Sequence, residues 1–241
     1  MDRDENLMQV TSMRDLLIHD IRSPLAAISG YAQLLRRRAA ANAVDGASVA
    51  DGLQHIENAA LRVARLLDEL ADLAVQAETD DGAGRRQAAD LVLIARRMAA
   101  ESQAVSSRPP KSSVVVLAAV PQLHGWWDVP RLERMLANLI GNALKYSHQD
   151  DVVVVTLQQT DGWAVIAVAD QGVGIPAAEL PRVFELGYRA SNVASVFQGT
   201  GLGLAGVHEI VTQHGGTIAI DSQLGHGTTV TVRLPLQEGD R

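Results

Sequence analysis

Between Leu7 and Leu70 the apolar residues keep helical spacing through two successive runs separated by a short polar stretch. Leu7, Val10, Leu17, Ile21, Leu25, Ile28 and Leu35 carry the first run to about Arg38. The loop AANAVDGAS follows, and Val49, Leu53, Ile56, Ala60, Val63, Leu67 and Leu70 carry the second run to about Gln76. Two long helices joined by so short a loop form an antiparallel hairpin. A hairpin alone cannot hide both apolar stripes. Its stable form is two hairpins packed as a four-helix bundle, so the pattern predicts a homodimer.

The pattern then changes. Residues 78–87, ETDDGAGRRQ, are charged and glycine-containing and read as a linker between a first domain at 1–77 and a second at 88–241. Beyond it the spacing predicts a helix over 88–104, a strand at 114–118 and a helix over 130–146. Strands at 152–159 and 163–170 follow, with a turn at Asp161–Gly162, then a helix over 203–214 and the strands GTIAID and GTTVTVRLPL. Interleaved strands and helices make an α/β layer, and the closing hairpin makes part of its sheet antiparallel. The chain as a whole is an α+β multidomain protein.

Composition narrows the function. A net charge of −7 argues against a nucleic-acid footprint. With no cysteine there is no disulfide, thiolate metal site or cysteine nucleophile. No apolar run approaches the roughly 18 residues that span a bilayer, and residues 1–15 are too charged for a signal peptide. The expectation is a soluble, cytoplasmic protein, or the soluble end of a longer one.

Within the first helix, LIHDIRSPLAAISG (17–30) sets a histidine, an acid and a proline close together. At about 100° per residue, His19 lies roughly 160–200° from the stripe of Leu17, Ile21 and Ile28, so it projects to solvent or to a partner. Ser23 lies one turn above it. Pro24 leaves the carbonyl of Asp20 without its helical donor, which predicts a kink just beyond the histidine. Taken alone, this is a surface histidine beside a tolerated kink.

Four patches stand out in the second domain. Asn138 and Asn142 in NLIGNALKYS share a helix face, with Lys145 a turn further; stacked amides suit oxygen ligation or hydrogen bonding, or else a polar solvent face. In DQGVGIP (170–176) a carboxylate and two glycines follow a strand, which suits a flat ligand with an exocyclic amine, or an ordinary turn. GTGLGLAGVHEIV (199–211) is a glycine loop entering an apolar helix and suits phosphate, though it is neither a Walker loop nor a Rossmann fingerprint. GHGTTVTV (225–232) by itself is a hairpin turn.

In this order and spacing, the patches resemble the two-component sensor histidine kinases. HDIRSPL is similar to that family's phosphoacceptor box, NLIGNALKYS to its asparagine box, and DQGVGIP, GTGLGL and GHGTTV to its three glycine boxes; VFELGYRA (183–190) resembles the phenylalanine box at the foot of the nucleotide lid. The resemblance covers about Leu16 to Leu236. It implies a dimerisation and phosphotransfer hairpin followed by a Bergerat-type α/β sandwich that binds ATP, a domain shared with type II topoisomerases and MutL. It also implies Mg²⁺ as a cofactor and a response-regulator receiver domain as a partner.

The resemblance also implies roles. His19 is the phosphoacceptor, Asp20 takes or orients a ring proton, and Ser23 stands where the family orients water for dephosphorylating the partner. Asn138 ligates Mg²⁺; Asn142, Lys145 and Tyr146 line the nucleotide. Asp170 binds the adenine amino group beside Gly172 and Gly174, with Thr228 in support. Phe184 packs the lid base, Arg189 reaches the phosphates, and Gly199, Gly201 and Gly203 let the lid bend around them. Three features depart from the family pattern: aspartate follows the histidine, serine stands at position 23, and the lid segment SNVASVFQ is apolar. Val196 and Phe197 are expected to dock on the hairpin or on a partner. The leading expectation is a kinase that autophosphorylates His19 and passes the phosphoryl group to an aspartate. A non-catalytic nucleotide- or receiver-binding scaffold is the alternative, and a clamp ATPase of the MutL kind is a third.

Overall fold

The computed structural model describes residues 3–40, 45–77, 85–105, 113–148, 151–197 and 199–236. Several side chains of the first two helices, that of His19 among them, lie outside the described set. The chain divides into two compact units, Met1–Ala77 and Glu78–Arg241.

The first unit is a pair of helices, α1 (Arg3–Ala40) and α2 (Gly46–Ala77). Asp45 caps α2: its carboxylate accepts from the Ser48 amide at 2.7 Å and the Ser48 hydroxyl at 2.8 Å. Pro24 sits inside α1 without ending it, because the helix on either side is long and packed against α2. The helices approach closely at Gly52, where a Cβ would lie 2.9 Å from Leu35 Cδ2. The rings of Tyr31 and His55 stack across the pair with centroids 4.4 Å apart.

The buried positions of α2 are offset by one residue from the predicted stripe: Ala59 and Leu66 are buried, while Leu53 and Leu67 of that stripe, and Leu25 of the first, remain 54%, 52% and 47% exposed. Ile18 and Leu34 are also uncovered.

In the second unit, a five-stranded sheet runs β2 (Val114–Ala118), β4 (Val153–Thr160), β5 (Trp163–Ala169), β7 (Gly227–Pro235) and β6 (Thr217–Gln223) across its width. β2 and β4 are parallel; every other pair is antiparallel. Asp161 and Gly162 join β4 to β5 with φ of 49° and 81°, the two-residue turn whose twist suits a hairpin. The helices α3 (Leu91–Val105), α4 (Val129–Tyr146) and α6 (Gly203–Gln213) supply the rest of the core. Alternate residues of β4 and β5, including Val153, Val155, Leu157, Ala164, Ile166 and Val168, are buried with Leu132, Met135, Leu136, Leu139 and Ile140 of α4.

The expected boundaries shift in one place. A helix was expected from residue 88, but β1 (Gln87–Asp90) precedes α3 and pairs with β3 (His124–Trp127), a strand the alternation did not reveal. Asp90 Oδ1 accepts from the Val92 and Leu123 amides at 3.0 Å each, so its side chain ends the strand and opens the helix. Of the expected linker, residues 78–84 lie outside the described residues. Arg86 donates to the Gln213 carbonyl at 2.7 Å, and Arg85 pairs with Asp128 at 3.3 Å, so both are held by the second unit.

Candidate functional site

The site is built where α4 ends. The helix starts at Asp128, whose carboxylate accepts from the Arg131 amide at 3.3 Å, with Pro130 in its first turn. Its apolar residues recur every three or four positions on the buried face, which leaves Asn138, Asn142, Lys145 and Tyr146 along a half-buried edge. Gly203, the first residue of α6, lies across both amides: a Cβ there would be 3.5 Å from Asn138 Oδ1 and 3.6 Å from Asn142 Nδ2. The asparagine pair, expected from spacing alone, thus faces the start of α6.

Asp170 follows β5 directly. Its Oδ1 accepts from the Gly172 amide at 2.9 Å and the Thr228 amide at 3.2 Å, and its own amide donates to the Thr228 carbonyl at 2.9 Å. Both side-chain bonds fall on one oxygen, Oδ1. Burial raises the carboxyl above its usual value, opposed by the two amides. The Thr228 hydroxyl lies 2.9 Å from the Ser222 hydroxyl, so it is the backbone of Thr228 that holds Asp170. Ser222 Oγ also accepts from the Ile175 amide at 2.9 Å, tying the loop to β6.

The glycines of this loop leave room for other backbone. A Cβ at Gly172 would lie 2.1 Å from the Tyr146 carbonyl oxygen, and one at Gly174 (φ 63°) 2.1 Å from the Gln223 oxygen. Gly227, which sequence reasoning did not single out, has φ 101° and rests equally close to the Asp170 carbonyl.

The segment from Val183 to Phe197 lies between the second patch and the third. Phe184 packs against the His208 ring of α6 with centroids 5.5 Å apart. Glu179, on the short 3-10 turn Ala177–Arg182, accepts from the Tyr188 hydroxyl at 2.7 Å and from the amide and hydroxyl of Ser191 at 2.8 and 2.5 Å. These donors hold its carboxyl below the usual value. Asn192 of α5 (Ser191–Ala194) donates to the Gly174 carbonyl at 2.8 Å, joining the lid to the Asp170 loop. Gly201 (φ 79°) closes the segment's base, where a Cβ would be 2.5 Å from the Tyr188 oxygen.

Arg189 is turned onto the lid itself, donating to the carbonyls of Val193 (3.2 Å) and Phe197. Phe197 meets the Tyr146 ring edge-on at 5.1 Å, a contact within its own unit. Val196 is 72% exposed. Lys145 lies over the Tyr146 ring at 4.9 Å, and a Cβ at Gly199 would be 2.7 Å from its Nζ. Burial raises the Tyr146 hydroxyl above its usual value, and Arg189 opposes the shift.

In the first unit, Asp20 and Ser23 are exposed on α1. His19 is a residue of α1, but its expected outward orientation concerns a side chain outside the described residues.

Comparison with known proteins matches residues 17–76 to the His Kinase A (phospho-acceptor) domain and residues 127–238 to the Histidine kinase-, DNA gyrase B-, and HSP90-like ATPase. The chain is 34% identical over 237 residues to the sensor histidine kinase ZraS of Escherichia coli K12, covering 98% of this chain and 48% of that protein. It therefore spans about half the length of this curated relative. Among solved structures, the mycobacterial sensor histidine kinase MprB is 29% identical, with a TM-score of 0.55 over 64% of this chain and 99% of that one. Full-length ShkA in complex with AMPPNP, at 22% identity, shares the fold over 97% of this chain and 47% of its own, with a TM-score of 0.66.

Proposed function

The chain belongs to the two-component sensor histidine kinase family, and from that premise we propose that it autophosphorylates His19 from ATP and passes the phosphoryl group to an aspartate of a response regulator. The observation that carries this reading is one chain holding a phospho-acceptor match at 17–76 and an ATPase match at 127–238 that encloses the Asp170 loop. In this reading Asp170 accepts from the adenine amino group through Oδ2. Asn142, Lys145 and Tyr146 line the nucleotide, and Arg189, swung from the lid carbonyls, meets the phosphates. Asn138 offers an amide oxygen facing the start of α6, which suits Mg²⁺ shared with phosphate and water oxygens. When bound, the ion neutralises charge on the transferring phosphoryl group.

The remaining work falls to the hairpin. The attacking ring nitrogen of His19 must be unprotonated, because its lone pair makes the new bond to phosphorus. Asp20 holds the proton on the other ring nitrogen and stabilises the developing cation. Ser23 orients water for removing phosphate from the regulator. The uncovered Leu25, Leu53 and Leu67 form the seam of a homodimeric four-helix bundle.

The test is incubation with γ-labelled ATP and Mg²⁺ beside His19→Gln and Asn138→Ala. Acid-labile, alkali-stable label on the wild-type chain, absent from both variants, is the expected result. An unlabelled chain that still binds nucleotide would replace this reading with the scaffold one.

A further inference from the structure

Tyr146, Lys145 and Arg189, three residues assigned above to the nucleotide, are all engaged by the lid. Phe197 occupies the Tyr146 ring edge-on at 5.1 Å. Arg189 donates to the carbonyls of Val193 and Phe197. Lys145 Nζ reaches Gly199, where a Cβ would lie 2.7 Å from it. The segment is anchored at both ends, by Glu179 and Asn192 at one and by Gly201 at the other, so Phe197 is delivered to Tyr146 by a short, tethered arm.

We propose that Phe197 is an internal competitor for the nucleotide: in the free protein it holds the lid down on Tyr146, and a nucleoside diphosphate or triphosphate must displace it to bind. This rests on the nucleotide reading given above. An aromatic side chain at this position places an apolar ring on a partly buried tyrosine and parks Arg189 on the lid backbone, where its charge is neutralised by carbonyl dipoles. Binding of a phosphate chain offers Arg189 and Lys145 stronger partners, so the same ligand that displaces Phe197 also draws away the contacts that hold it. The lid then reports nucleotide occupancy by releasing Phe197 next to the already exposed Val196.

The experiment measures ADP affinity of the whole chain by calorimetry in Mg²⁺, wild type against Phe197→Ala, with hydrogen exchange of the nucleotide-free proteins across 190–201. Phe197 is only half-buried and lies outside the core, so the variant folds. Removing the competitor is expected to tighten ADP binding by roughly three- to ten-fold, the worth of one edge-to-face aromatic pair. Faster exchange in the lid should accompany it. Equal affinities, weaker binding, or tighter binding without faster exchange would each overturn the competitor role. If neither protein binds ADP, the nucleotide site falls as well, so the two failures are told apart.

Discussion

The α-carbon of Gly172 rests against the carbonyl oxygen of Tyr146, which also accepts the Val173 amide at 3.2 Å. The last turn of α4 and the loop after β5 are thereby one piece, and the asparagine face is fixed relative to Asp170 through backbone alone.

Gly172→Ala is therefore expected to separate what Gly141→Ala leaves intact. A Cβ at 172 meets main-chain atoms that cannot step aside, at an expected cost of about 1–3 kcal/mol with loss of ADP binding. Gly141 is an exposed residue of α4 with nothing within 4 Å of a Cβ, and alanine there should stabilise by about 0.5–1 kcal/mol. Thermal melts of the two variants check both.

Asp170→Asn should lose nucleotide without losing stability. The carboxyl is raised by burial, so its favourable contribution is complete below the unfolded value of 3.8 and is lost as pH rises through the folded value. At neutral pH the buried charge is a net cost. Asparagine keeps an acceptor for the Gly172 and Thr228 amides, so the melting temperature should hold or rise while ADP affinity drops about ten-fold or more.

His214 makes the second unit sensitive to mild acid. Its Nδ1 donates to the Ile210 carbonyl at 2.7 Å and its Nε2 accepts the Asp128 amide at 3.2 Å, a pairing that only the neutral ring can make. Burial lowers its pKa below the usual 6.5. As pH falls below that value the unfolded chain takes up a proton the folded one refuses, so stability declines until the folded site also protonates. Melts between pH 7.5 and 5 should show this decline, and His214→Gln should flatten it.

The hairpin predicts an association state. Sedimentation of the wild-type chain should give a dimer, and Leu53→Lys should give a monomer, because a charge at a half-exposed seam position is desolvated only on pairing. A wild-type monomer would leave the uncovered leucines unexplained.

Where side chains repeat with a regular period, the structure was legible from sequence. The two helices of the hairpin, α4, the β4–β5 turn at Asp161–Gly162 and the closing strands all announce themselves by spacing or by turn chemistry. The short β1–β3 pair was not legible, since four residues hold too few alternations to stand out, and β3 owes its place to Trp127, buried with its indole donating to the Pro235 carbonyl at 2.8 Å. Asp128, followed by a proline two residues on, did carry a helix-start signal, but nothing local says that His214, 86 positions away, would meet it.

The order and residue types of the site are properties of the chain: an acid after a strand, amides one turn apart, glycines at the mouths of loops. What each group does was decided by folding. Gly172, Gly174 and Gly227 are small because other segments of backbone pass within contact distance of them. Arg189 and Phe197 lie along the lid because Tyr146 and the lid carbonyls are the partners within reach. Period and composition are local quantities, written along the sequence itself. Close approach between residues far apart in the chain is a tertiary quantity, and it is set only when the sheet, α4 and the loops have packed together.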